Sequence, residues 1–516
     1  MVQTAPPIAS KNFSLNLTRY QLFVLFIVYA CAHLMFTPNL LFPVFGNVIP
    51  EWSCDAEKFS RDCHVIQNCT DQSNLTYRSP FLSLATDLQL YCDQSAFMPI
   101  IASLQMVGLM AGSLMFGQIS DLIGRKRSYL ICGLGAVLLA SVTTLLNQWL
   151  VVALLRFLTM LFVAGVIIGS QTLTLESIEP QQRMFMCAFF WSAGTVRAIC
   201  ALVAYAVGNW RNLSRALSLI GIPVLLLTFF FVEESTRWLY QRRQYARAKA
   251  TLLKIAKFNG KTVGNRNEDD YGLEKLQEKD DSNRKRYTFR DLFSTPELRR
   301  RAFLASYFYF ACAFVSFGLD MTSGDLAGNF FLNQALIGII SQLIKPVIFL
   351  IDNCWPGFNR RHLHQYSMGS VLVCLLVCAI LTTQSGSSQI QYAITGISVA
   401  GRCLVEYQWD AVILYSGELF PTVCRASGTA FAATWGRIGD VLAPLILPTA
   451  LYWLPAPYLI LLVAGSISIL LSICFAPDTK GLDLADTINL ESVKIELDNQ
   501  FNVELDDRKS LETFNN

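Results

Sequence analysis

Twelve stretches of this chain are apolar for long enough to cross a bilayer, which takes about 20 residues. They fall at roughly 20–46, 95–118, 129–147, 149–173, 184–208 and 214–232, then 302–320, 330–352, 366–384, 389–416, 427–450 and 454–476. In hydrocarbon every backbone N–H and C=O must find its partner inside the segment, so runs of this length and spacing fold as helices. The spacing predicts an all-α membrane protein with 12 transmembrane helices in two six-helix pseudo-repeats. Charged residues make up 15% of the 516, against about 25% in soluble domains, and lipid-facing surface explains the deficit.

Charge orients the chain. Residues 233–301 carry 18 Lys or Arg, including Arg242, Arg243, Arg284, Lys285, Arg286 and the run Arg299, Arg300, Arg301. The segment 47–93 carries three, Lys58, Arg61 and Arg78. Positive charge near helix ends marks the cytoplasmic side, so the central loop is expected inside and the first loop outside, with both termini cytoplasmic. The expected order is a cytoplasmic N-terminus (1–19), a first half (20–232) bearing the large outer loop 47–93, a cytoplasmic loop (233–301), a second half (302–476) and a cytoplasmic tail (477–516). The stretch from Tyr20 to Gly46 is too long for a cleaved leader and reads as a retained membrane helix. "TRWLYQRRQYARAKATLLKIAKFNGK" reads as one helix under the membrane, with Leu239, Ala246, Ala250, Leu253 and Ala256 along one side. The polar, acidic tail from about Leu482 is expected to be mobile.

Four of the 15 cysteines, Cys54, Cys63, Cys69 and Cys92, cluster in the outer loop. In an oxidising compartment they suggest two disulfides, with three connectivities open. The other 11 are scattered through apolar segments and read as packing. Asn68 and Asn74 open glycosylation sequons in the same loop, whereas the sequons at Asn12 and Asn16 lie on the cytoplasmic side and that at Asn212 lies too near the membrane.

Other classes find no support. A net charge of +3 and the absence of any RNA- or DNA-binding module argue against nucleic acid. Four histidines form no metal-ligand cluster, and neither a Ser-His-Asp pattern in context nor a phosphate-binding Walker loop is present. The expectation is no enzyme, no metal and no cofactor.

The halves echo one another, as internal repeats in membrane carriers do. "ESIEPQQR" (Glu176, Arg183) follows the fourth run and "ELFPTVCR" (Glu418, Arg425) follows the tenth; "EESTRWL" follows the sixth and "APDTKGLDL" the twelfth. Between the second and third runs, "GQISDLIGRKR" places Gly117, Asp121, Gly124, Arg125, Lys126 and Arg127 in a tight cytoplasmic turn. An acid, a basic cluster and glycines at close approaches suit a charge latch, with Asp121 on an arginine or on a helix N-terminus in one conformation only.

These residues resemble the major facilitator superfamily and, within it, the organic cation, anion and zwitterion transporter family of solute carriers. "YCDQSAF", "GQISDLIGRKR", "RFLTMLFVAGVIIG", "NWRNLS", "ESTRWL", "GELFPTVCRASG" and "PDTKGLDLADTI" carry the likeness almost end to end, and the cysteine-bearing first loop separates it from sugar porters. Two positions depart. Thr236 stands where the family has Pro, and "DNCWPGFNRRHL", with Asp352, Arg360 and Arg361, is a stretched version of the second-half latch, expected to be weak.

The resemblance implies the major facilitator fold, a central cavity between the halves, and alternating access for a small organic ion, with H+, Na+ or a counter-substrate as coupling partner. Asp410 lies 11 residues inside Pro421 and Arg437 12 residues beyond Arg425, about 16 and 18 Å deep at 1.5 Å per residue. Asp410 falls where cation carriers have glutamate, and Arg437 where anion and carnitine carriers have arginine. A zwitterion satisfies both, so the chain leans to organic cations or zwitterions in the plasma membrane; an organic anion carrier and a non-transporting receptor on the same fold are the alternatives. Arg402 with Glu406, and Arg437 with Asp440, are spaced to pair along their own helices, which leaves Asp410 without a local partner. Lys345, Arg156, Arg197 and Asp320 are further cavity or packing charges, His33 is a coupling candidate, and Tyr407, Trp409 and Tyr415 offer aromatic faces to a cation.

Overall fold

The computed structural model describes residues 17–54, 59, 63, 75–178, 186, 192–260, 292–354, 359–384, 387–420 and 424–477. Its membrane helices are α1 (Arg19–Gly46), α2 (Phe97–Ile123), α3 (Arg125–Thr143), α4 (Trp149–Ser177), α5 (Ala193–Val207), α6 (Trp210–Phe231), α7 (Pro296–Thr322), α8 (Phe330–Cys354), α9 (Arg360–Thr383), α10 (Ser388–Leu419), α11 (Arg425–Leu442) and α12 (Ala456–Phe475). The twelve fall where the apolar runs lie. Several start or end one or two turns beyond those runs, because apolar content marks only the hydrocarbon-spanning part. Thus α9 begins at Arg360 rather than near 366, and α2 runs on to Ile123.

α1 is one span built from unlike pieces. Thr18 and Gln21 form a reciprocal capping box at its start. The chain then widens into a π-helix over Leu25–Ala30 before His33–Leu40 resumes the α-helix. Where the repeat changes, the carbonyl of Ala30 is taken by the Ser192 hydroxyl at 2.6 Å, which ties α1 to the start of α5. α11 is likewise shorter than its apolar run. Beyond Leu442 the chain becomes a 3-10 helix, Ala443–Leu451, because Pro444 and Pro448 lack the N–H that an α-helix needs.

The loop between α1 and α2 contains two strands that the apolar pattern does not show. β1 (Glu51–Cys54) and β2 (Leu75–Arg78) pair antiparallel, with Glu51 opposite Arg78. Trp52 is buried and stacks on Tyr91 at 5.4 Å. Cys63 is bonded to Cys92, and Cys54 is also in a disulfide. Cys69 and the sequon residues Asn68 and Asn74 lie outside the described residues. Of the scattered cysteines, Cys132, Cys200, Cys312, Cys378, Cys403 and Cys424 are buried thiols.

The segment after α6 forms two helices, not one: Thr236–Gln241 and Tyr245–Phe258. The break falls at Arg243, whose φ is +58°. Ser235 caps the first helix by accepting from the Trp238 N–H, so Thr236 serves at a first-turn position in place of Pro. The break also resets the helical phase. Ala248 and Thr251 are buried while Ala246 and Ala250 are exposed, contrary to the single-helix register. Asn259 accepts from the Tyr20 N–H at 2.9 Å, and Lys254 pairs with Glu233 at 3.0 Å, so this pair of helices is fastened to the first half.

Across the halves, α5 packs on α8 and α2 on α11. Gly194 and Gly338 face each other so closely that a Cβ on either would collide with the other's carbonyl oxygen; small residues allow helix backbones this proximity in a membrane.

Candidate functional site

α10 carries Arg402, Glu406 and Asp410 at successive four-residue steps, so the helix stacks them along one face. Arg402 donates to Glu406 at 3.0 Å, the pairing expected from spacing. Asp410, however, is not unmatched. Lys345, on α8, places its Nζ 2.9 Å from Asp410 Oδ1 and 3.2 Å from Glu406 Oε2. The partner was invisible to local counting because it is 65 residues away.

The chain of charges continues to α7 and α5. Arg402 also donates to Asp320 near the end of α7, and Asp320 accepts from Arg197 of α5. Arg197 further donates to Gln334 Oε1 at 2.6 Å through Nη2. One continuous line therefore runs Arg197, Asp320, Arg402, Glu406, Lys345, Asp410. Its three cations and three carboxylates sum to zero. Buried in low dielectric, each charge needs that partner, since leaving one unpaired costs about 3–5 kcal/mol. Arg197 belongs to the first half and the other five to the second. Gln334, which holds two of the Arg197 nitrogens, carries no charge and escaped a reading that looked for charged residues.

On α11, Arg437 donates to Asp440 at 2.9 Å, again the local pairing expected. The two differ in access: the Arg437 side chain is 30% exposed and that of Asp440 8%. The Arg437 side chain is thus partly accessible, and its planar guanidinium fork suits a carboxylate.

The remaining residues of interest are more enclosed. His33 is fully buried at the end of the π-helical stretch, with Nδ1 3.1 Å from the Tyr29 carbonyl and its ring between Tyr29 and Phe36. The Tyr407 hydroxyl donates to the Ile344 carbonyl at 2.9 Å, joining α10 to α8. Trp409 donates to the Ser316 hydroxyl, and Tyr415 is buried.

At the turn between α2 and α3, Arg125 bonds Asp121 and also Glu176, the latter at 3.2 Å. The N-terminus of α3 is held by Glu234, whose Oε1 accepts from the Arg125 and Lys126 backbone N–H groups at 2.9 and 3.0 Å. A carboxylate there meets the positive end of the helix dipole. Asp121 was expected to serve either an arginine or such a terminus; it serves the arginine, and Glu234, within "EESTRWL", serves the terminus. Gly124 has φ +109°, and a Cβ there would overlap the Glu234 carboxylate. Lys126 Nζ donates to the Phe229 carbonyl, Arg127 is exposed, and Gly117 faces open space.

The second half repeats the arrangement. Arg360 donates to Glu418 at 3.0 Å, the counterpart of Arg125 with Glu176. The stretched sequence after α8 therefore keeps the central ion pair. Arg425 Nε donates to the Phe420 carbonyl at 3.4 Å; Arg183 lies outside the described residues.

Comparison with known proteins agrees with this architecture. Residues 56–489 match the family described as sugar (and other) transporter. An uncharacterized protein of Caenorhabditis elegans is 32% identical over 493 residues, covering 91% of this chain and 94% of its own. Solute carrier family 22 member 6 of Mus musculus is 28% identical, covering 82% of this chain and 76% of its own. Member 7 of the same family from Sus scrofa is 30% identical, covering 79% and 72%. The xylose transporter XylE from E. coli, in an inward open conformation, superposes with a TM-score of 0.63 at 14% identity, covering 90% of this chain and 98% of its own.

Proposed function

The chain belongs to the sugar (and other) transporter family of the major facilitator superfamily and is similar to its solute carrier 22 members, and on that premise we propose that it carries small zwitterionic organic ions by alternating access. The observation that carries this reading is Lys345 between Glu406 and Asp410. The line of charges is already neutral, so a simple ion entering it leaves one charge unmatched. A zwitterion exchanges into the line without that cost. Its cationic end takes Asp410 and its carboxylate takes the exposed face of Arg437, with Lys345 keeping Glu406.

Alternating access is supported by where the halves touch. The cross-half polar contacts among the described residues join Arg197 to Asp320, Gln334 and Ser323, and Ser103 to the Val441 carbonyl; all of these except Arg197, the fifth residue of α5, lie at or near the proposed outer ends of their helices. Phe45 against Phe330 and Phe81 against Phe331 add to that side. At the cytoplasmic ends, the partners found for Arg125 and Glu234 belong to the first half and those for Arg360 to the second. This is the pattern of a carrier closed outside and parted inside, with both latches ready to engage across the halves in the opposite state. We place the termini and the central loop on the cytoplasmic face of the plasma membrane, on the charge asymmetry of the loops.

The test is uptake into oocytes of a quaternary amine, a dicarboxylate and a betaine-like zwitterion at matched surface expression. The zwitterion is expected to enter fastest. Exclusive uptake of the dicarboxylate would replace this reading with an organic anion carrier, and binding without flux would replace it with a receptor.

A further inference from the structure

Five Lys or Arg side chains are buried among the described residues: Arg125, Arg156, Arg197, Lys345 and Arg360. Four of them pair with carboxylates, Arg125 with Asp121 and Glu176, Arg197 with Asp320, Lys345 with Glu406 and Asp410, and Arg360 with Glu418. Arg156 is the exception. It sits in the outer part of α4, 1% exposed, and no carboxylate of the described residues pairs with it.

Its surroundings hold it in place without neutralising it. Nε donates to Gln105 Oε1 at 3.1 Å and Nη2 to the Asn39 carbonyl at 3.2 Å. Gln105 in turn donates to the same Asn39 carbonyl at 2.7 Å, which fixes the orientation of its amide. The guanidinium lies 3.7 Å over the Phe42 ring. Of its five N–H groups, three have no acceptor among the described residues. Arg156 lines a cavity between α1, α3, α4 and α6, together with Asn39, Trp210, Ser214 and Ser218. The space open to water centres there is about 30 Å³, against about 10–15 Å³ for a single water. A monatomic anion with one water is of a size to occupy that space.

We propose that this cavity is a binding site for a small monovalent anion of chloride's size, held by Arg156 and the hydroxyls of Ser214 and Ser218. A buried cation without a counter-charge is costly in low dielectric, and a halide supplies that charge in the volume available. The site lies inside the first half, apart from the line of charges on α7, α8 and α10. Its role is structural: the anion lets α1, α4 and α6 pack around a charge the fold does not otherwise compensate.

The test uses the full-length protein in nanodiscs, unfolded thermally in chloride and in gluconate at constant ionic strength. A saturable rise in unfolding temperature of about 3 °C or more is expected in chloride, lost in Arg156→Gln and in Ser214→Leu. The second variant keeps the arginine and fills the cavity, so it decides the matter if Arg156→Gln does not fold. Crystals grown in bromide are expected to show an anomalous peak within hydrogen-bond distance of Arg156. Equal unfolding temperatures in the two salts would mean that water alone fills the cavity. A chloride effect that survives in Ser214→Leu, or a bromide peak only beside Arg437, would place the anion elsewhere and overturn the proposal.

Discussion

Lys345 on α8 and Asp410 on α10 meet at 2.9 Å in the middle of the second half. The contact makes Asp410 half of an ion pair before any substrate arrives. Lys345→Ala is expected to reduce uptake of every substrate at least tenfold and to destabilise the protein by about 3–5 kcal/mol, because Asp410 is left buried and unpaired. In Lys345→Ala/Asp410→Ala part of that stability returns, with a coupling of about 1 kcal/mol or more in a double-mutant cycle of thermal unfolding. Additive losses would show that the pair does not form.

Arg437 pairs with Asp440 at 2.9 Å, and the proposed function assigns this pair the discrimination between charge classes of substrate. Arg437→Ala is expected to cut uptake of carboxylate-bearing substrates at least tenfold and to spare a quaternary amine. Asp440→Asn releases the guanidinium and shifts preference toward dicarboxylates. Competition assays with the three-compound panel read both effects, and equal losses for amine and acid would remove Arg437 from substrate recognition.

Arg197 and Asp320 join the halves, and the proposed outer closure rests on them. Arg197→Ala is expected to favour the outward-facing state, since about 1.4 kcal/mol moves a two-state equilibrium tenfold. A cysteine placed at Phe331, which packs on Phe81 and Tyr205, becomes several-fold faster to label with an impermeant maleimide in that background. Unchanged labelling would mean that the aromatic contacts alone keep the outside shut.

Gly124 has no room for a side chain. Gly124→Ala combines a positive φ with a clash against Glu234 and is expected to cost about 1–3 kcal/mol. Glu234→Gln keeps the two backbone acceptor contacts and loses only charge, about 0.3–1 kcal/mol at a helix N-terminus. Thermal unfolding ranks the two, and the reverse order would contradict the geometry at the start of α3.

Glu176 and Glu418 hold corresponding arginines in the two halves. Glu176→Ala and Glu418→Ala are each expected to slow transport several-fold with little change in substrate affinity. The double variant is expected to be worse than either, because in the proposed cycle both latches engage in the same conformational step. A large rise in KM at unchanged maximal rate would instead assign these residues to binding.

What the sequence determined by itself was local or additive along the chain. Apolar runs marked out where the twelve helices lie, and the repeated "ESIEPQQR" and "ELFPTVCR" put Glu176 and Glu418, each holding an arginine, at corresponding places in the two halves. The pairs Arg402–Glu406 and Arg437–Asp440 were legible for the same reason, since one helical turn brings such residues together. Tertiary structure decided the rest. Nine helices among the described residues are long and apolar enough to cross a membrane by themselves, but α10 is not one of them. Beyond the local Arg402–Glu406 pair, its charges are met by Lys345 and Asp320, which lie 65 residues from Asp410 and 82 from Arg402. Nor does anything near Arg197 in the chain point to Asp320, 123 residues on, in the other half. A buried charge takes whichever opposite charge the packing of helices brings within about 3 Å, and only the fold settles which one that is.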